Sequence, residues 1–199
     1  MEDLTLIKNA IQYPQNVVIL SHRNPDGDAI GSCLAWKLYL MAKGHKVHVI
    51  LPSEFPLNFA WLPHTSEIVI YDLHPERAKE LIEVASMICC LDFNSLDRID
   101  KMTEMVRSST AFKMMIDHHI DPEPFVQAMV SDPTASATCE LIFDVILALG
   151  DEKFITPALA ECLYTGILTD TGNFIHAVTP AIMRKSARLL ELGVDNDKL

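Results

Sequence analysis

The chain has 199 residues, 49% of them hydrophobic and 22% charged, with a formal net charge of −11. That length suffices to bury one sizeable core, and the acidic balance argues against a broad basic groove tracking a long nucleic-acid backbone. No apolar run reaches the roughly 20 residues that span a membrane. The N-terminal stretch MEDLTLIKNAIQYPQ begins with acids and reads as a first helix rather than a secretory signal. Five cysteines (Cys33, Cys89, Cys90, Cys139 and Cys162) include no CxxC pair. They read as small buried hydrophobes in a reducing compartment, so the cytoplasm is the expected location.

In chain order, VVIL (17–20) is a first buried strand, and 29–43 a helix stopped by Gly44. KVHVI (46–50) and EIVIY (67–71) are the next strands. Residues 75–85 are helical, SMICCLD (86–92) is a strand, a short helix covers about 97–107, and AFKMMID (111–117) is another strand. QAMVSD (127–132) follows, then helices over 136–149, 157–169 and 180–193, the last ended by Gly193. Helices alternating with near-continuous apolar strands predict a three-layer α/β fold: a mostly parallel sheet with helices on both faces. Residues 1–190 are expected to form one domain, and the polar stretch 191–199 reads as the start of a linker.

In open α/β sheets, ligands bind outside the carboxyl ends of the strands. The residues following these apolar runs share a chemistry. After VVIL comes SHRNPDGDAIGS, after SMICC comes LDFNS, and after AFKMM comes IDHHID. A helix ends on a fourth cluster, TGILTDTGNF (165–174). A loop can turn His22, Asp26 and Asp28 inward together, although Asn-Pro-Asp-Gly also fits a turn that caps a helix. Asp92 fits a helix N-cap as well as a ligand. Asp117, His118 and His119 are harder to assign to structure alone, because charges near a buried sheet end need a partner or a metal. Asp170 by itself fits a C-terminal helix cap. Taken together, histidine and carboxylate donors suit manganese, iron or zinc better than magnesium. Two such ions about 3.5–4 Å apart can clamp a phosphoryl group for in-line attack.

These four segments, in this order, resemble the motifs of the DHH phosphoesterase superfamily, which takes its name from the tripeptide found here at Asp117-His118-His119. The likeness extends from about residue 15 to 190. The small size and the SDPTASATCELI segment (131–142) resemble the branch of bifunctional oligoribonucleases and 3′-phosphoadenosine-5′-phosphate (pAp) phosphatases, the nanoRNases, often labelled exopolyphosphatase-related. The resemblance implies two divalent metal ions, with manganese favoured. His22 and Asp26 would hold one, and Asp28, His118 and Asp170 the other. Asp92 would bridge the two, opposite an attacking hydroxide. His119 would contact the scissile phosphate, and Asp117 would orient a neighbouring histidine. Ser136 and Thr138, at a helix start, would touch phosphate or cap the helix. The implied substrates are short RNA oligonucleotides and nucleotide phosphates, with cyclic dinucleotides, polyphosphate or pyrophosphate as alternatives. A metal-binding regulatory domain without catalysis is the non-enzymatic alternative. The resemblance also implies a homodimer, and a C-terminal substrate-binding domain whose glycine-rich motif this sequence does not contain.

Overall fold

The computed structural model describes residues 2–197; Met1 and the end of the expected linker, 198–199, lie outside the described residues. Six strands form one sheet: β1 (Asn16–Leu20), β2 (Lys46–Leu51), β3 (Val69–Ile70), β4 (Met87–Leu91), β5 (Phe112–Asp117) and β6 (Ala128–Ser131). Every pairing is parallel, in the order 3-2-1-4-5-6. Among the described residues there are seven α-helices: α1 (Glu2–Ala10) precedes the sheet, α2 (Gly27–Ala42), α3 (Pro75–Glu83) and α4 (Thr103–Ser108) lie between strands, and α5 (Thr138–Ala148), α6 (Pro157–Asp170) and α7 (Pro180–Glu191) follow β6. The architecture is the expected α/β one. No described helix is long and apolar enough to cross a membrane.

Successive strand residues feed two different cores, which is why the strands are apolar throughout rather than alternating. Val17, Ile19, Cys89 and Leu91 pack with Ile30 and Leu34 of α2, Ile142 of α5 and Leu163 of α6. Val18, Leu20, Ile88 and Cys90 pack with Leu81 of α3 and Val106 of α4. All five cysteines are buried, as their apolar surroundings predict, and none of them is in a disulfide.

Several boundaries differ from the sequence expectation: the helices expected over 75–85, 136–149 and 180–193 span Pro75–Glu83, Thr138–Ala148 and Pro180–Glu191, and three further differences change the sheet or the site. The third strand shrinks from 67–71 to Val69–Ile70, because Thr65–Glu67 is a 3-10 turn. The helix expected over 97–107 splits into a 3-10 segment, Leu96–Met102, and α4, broken where Asp100 adopts φ 51°. Helix α2 starts at Gly27 rather than 29, with Asp26 as its N-cap.

Strand β1 lies between β2 and β4, so chain connections leave it in opposite directions along the sheet. Such a reversal opens a crevice at the carboxyl ends of the strands. His22 stands just beyond β1, Asp92 just beyond β4, and Asp117 ends β5.

Helices α2 and α6 meet through glycines behind this crevice. A Cβ on Gly31 would lie 2.5 Å from the Cys162 carbonyl oxygen. One on Gly166 would lie 2.6 Å from Asp28 Oδ1 and closer still to Cys139 Sγ. Overpacking of this kind costs about 1–3 kcal/mol, and each kcal/mol lowers the melting temperature of a domain this size by roughly 2–4 °C. Gly166→Ala is therefore expected to lower both the melting temperature and the affinity for divalent metal, read by thermal denaturation and metal titration. Wild-type values for both would mean that the helices part without disturbing Asp28.

Candidate metal centre

The first cluster grows out of the start of α2. Asp26 Oδ1 accepts from the backbone N–H groups of Asp28 and Ala29, both at 3.0 Å. One oxygen thus holds the helix while the carboxylate remains at the surface of the crevice. Asp28 sits in the first helical turn, fully buried, rather than in a loop. Its Oδ2 accepts from Thr138 N–H at 2.6 Å and its Oδ1 from Cys139 N–H at 3.0 Å. The amino end of α5, which favours negative charge, therefore fixes this carboxylate.

Two histidines are oriented by backbone carbonyls. His22 Nδ1 is 2.9 Å from the carbonyl of Arg23, and His118 Nδ1 is 3.3 Å from that of Ala135. A proton on each Nδ1 leaves the Nε2 lone pair free, the arrangement that metal-ligating histidines use. His22 Nε2 lies 3.4 Å from Asp92 Oδ2. His118 Nε2 lies 3.6 Å from Asp92 Oδ1 and 3.3 Å from Asp170 Oδ2.

Asp92 stands between the two groups. It is 2% exposed and has φ 61°, an uncommon backbone conformation for a residue other than glycine. Its N–H donates to the Ile116 carbonyl at 3.1 Å, and the Thr138 hydroxyl donates to its Oδ1 at 2.9 Å. Strained backbone held in this way concentrates at functional sites. Asp92 is not a helix N-cap; Ser95 takes that position in the following 3-10 segment.

Asp117 is fully buried and grips His119 twice. Its Oδ1 is 2.8 Å from His119 Nδ1, and its Oδ2 accepts from the His119 backbone N–H at 3.1 Å. This hydrogen bond, ahead of the opposing effect of burial, raises the His119 pKa above its ordinary value.

Ligand atoms within 4.8 Å of one another define three groups that could hold a metal ion: His22, Asp26 and Asp92; Asp28, His118 and Asp170; and Asp92, His118 and His119. Burial, followed by the charges of Asp92 and Asp170, pushes the Asp28 carboxyl well above the usual range. Burial, followed by the charge of Asp26, does the same to Asp92, and burial raises Asp170. Carboxylates crowded this way resist ionising until cations join them. Imidazole and carboxylate donors without thiolate fit a borderline divalent ion.

The structure thus brings together eight of the residues singled out from the sequence: His22, Asp26, Asp28, Asp92, Asp117, His118, His119 and Asp170. Ser136 and Thr138 depart from the phosphate contact expected of them. Thr138 is fully buried with its hydroxyl on Asp92, and Ser136 is buried with its hydroxyl donating to the Ala177 carbonyl at 2.7 Å. Neither hydroxyl caps α5, whose N-cap position is Ala137 without a side-chain bond. Sequence reasoning missed the close approach at Gly166 and the Cys139 N–H bond to Asp28. Both depend on how α5 and α6 cross α2, which no local pattern reveals.

Residues 16–167 match the model of the DHH family, N-terminal domain. The bifunctional oligoribonuclease and PAP phosphatase NrnA of Thermus thermophilus is 32% identical over 189 residues, covering 94% of this chain and 53% of that protein. The crystal structure of an exopolyphosphatase-related protein from Bacteroides fragilis superposes with a TM-score of 0.96 at 41% identity, covering 98% of this chain and 58% of that one. The exonuclease RecJ bound to manganese shares the fold alone, with a TM-score of 0.56 at 14% identity over 96% of this chain and 46% of that one. The chain therefore spans between half and three-fifths of the length of the first two proteins. With its match running from β1 through most of α6, and its histidines and aspartates converging at the carboxyl edge of the sheet, this chain belongs to the DHH family.

Proposed function

We propose that the chain carries the catalytic centre of a two-metal phosphoesterase acting on short oligoribonucleotides and pAp. One observation carries the reading: the two oxygens of Asp92 face different histidines, Oδ2 toward His22 and Oδ1 toward His118. A carboxylate so placed suits a ligand shared between neighbouring ions. His22 and Asp26 would complete one site, and Asp28, His118 and Asp170 the other. Bound cations would neutralise phosphate charge and activate water. Manganese is the metal favoured, supported by the donor set and by its presence in the RecJ structure.

The chain's own groups do the rest. Asp117 takes His119 Nδ1, so Nε2 is the atom left to meet a phosphate oxygen. Thr138 holds Asp92 against rotation, and the amino end of α5 holds Asp28. The short-RNA and pAp reading is supported by the likeness to the Thermus protein, named as a bifunctional oligoribonuclease and PAP phosphatase.

The test is hydrolysis in manganese of pAp, 5′-labelled RNA dinucleotides to pentanucleotides, cyclic di-AMP and polyphosphate. Cleavage of dinucleotides and pAp is the expected result. Cleavage of the cyclic compound or polyphosphate alone would keep the metal centre and replace the substrate. Metal binding with none of the panel cleaved would favour the regulatory reading.

A further inference from the structure

We propose that Arg98, on the segment that follows Asp92 and is bonded to the residue after His22, binds the scissile phosphate of the substrate. The inference deepens the phosphoesterase reading above and rests on it. Arg98 lies six residues after Asp92, in the 3-10 segment following β4. Its backbone is fixed at both ends. The N–H donates to the Ser95 carbonyl at 3.1 Å, and the carbonyl accepts from the Arg23 N–H at 2.9 Å. Arg98 is thereby tied to the residue next to His22.

Its side chain is exposed, and among the described residues the guanidinium has no hydrogen-bond or ion-pair partner. The neighbouring cations are all committed. Arg23 bridges Asp72 at 2.6 Å and Asp100 at 3.0 Å, and Lys101 reaches Asp72 at 3.4 Å. A free guanidinium is thus the exception in this corner of a chain with net charge −11. Its field also reaches His119, where it opposes protonation.

Charge balance gives this cation a task. Two divalent ions set against the four carboxylates of Asp26, Asp28, Asp92 and Asp170 leave no surplus positive charge. An anionic phosphoester entering such a centre needs a further cation, and a planar guanidinium matches two phosphate oxygens at once.

The test is titration of the manganese-loaded chain with adenosine 5′-monophosphate, comparing wild type, Arg98→Ala and Arg98→Lys. A charged hydrogen bond of the usual strength predicts about tenfold or more weaker binding for Arg98→Ala. Arg98→Lys is expected to recover part of that loss, because it keeps the charge but not the fork. Manganese content and melting temperature should match wild type, since the side chain holds nothing in place. Equal affinity in wild type and Arg98→Ala overturns the assignment. So does loss of manganese alongside affinity, or undetectable nucleotide binding by wild type. Hydrolysis of the substrate panel is a separate readout. A wild type that binds the nucleotide through Arg98 but cleaves nothing keeps the anion site and defeats the phosphoesterase reading.

Discussion

Asp92→Asn is expected to lower phosphoester hydrolysis on the order of 10³-fold, about 4 kcal/mol of lost transition-state stabilisation, while the fold persists. Asparagine is the informative substitution because of the backbone. Asp92 has φ 61°, which asparagine tolerates and alanine resists by about 1–2 kcal/mol. The Thr138 hydroxyl also keeps an oxygen to donate to. What disappears is one negative charge between two groups of potential ligands. In the metal-free state that charge is a liability, since burial and Asp26 already oppose its ionisation. The metal-free variant should therefore melt no lower than metal-free wild type, and manganese uptake should fall. His119→Ala makes the contrast: near-normal manganese content with turnover reduced roughly 10²-fold, as for loss of one group that stabilises developing charge. Asp92→Asn with full manganese content and near wild-type turnover would remove Asp92 from the centre of the mechanism.

Much of this arrangement was legible in the sequence because the fold forces it. Strands apolar on both faces must be parallel and covered, and a parallel sheet presents its carboxyl ends together. The polar residues that follow the apolar runs, His22, Asp92 and Asp117, therefore stand out in the sequence. Asp170 was legible only through the family resemblance, since a lone aspartate ending a helix has an ordinary capping explanation. Asp26 shows why choosing between a structural and a chemical role can mislead: its side chain caps α2 and still faces His22 and Asp92. What stayed hidden was long-range. Asp28 and the residues that bind it, Thr138 and Cys139, are more than a hundred positions apart, and nothing local predicts that contact. The left-handed conformation of Asp92 was equally invisible, because it is imposed by the β5 carbonyl of Ile116 and the α5 hydroxyl of Thr138 rather than by its own neighbours.

Removing divalent metal is expected to lower the melting temperature by roughly 10 °C at neutral pH, and by less in acid. A ligand present at 100 to 1,000 times its dissociation constant stabilises the folded state by about 3–4 kcal/mol, and the temperature shift follows from the size of the domain. The pH dependence comes from the carboxyls. Asp28, Asp92 and Asp170 all have pKa values raised on folding, with burial the first cause in each. Unfolded aspartates ionise near pH ~4. Above that value the metal-free folded chain holds protons that the unfolded chain has released, so its stability falls as pH rises. His119 acts in the same direction: its raised pKa contributes stability at low pH that is lost as pH climbs through the folded value. Metal reverses the trend, because only ionised carboxylates and neutral imidazoles bind it, and its affinity therefore grows with pH. The difference in melting temperature between manganese-loaded and chelated protein should widen steadily from about pH 5 to about pH 8. A constant difference over that range would mean that these acids are ionised in the folded chain without metal. The crowding of Asp28, Asp92 and Asp170 would then be relieved by something other than bound cations.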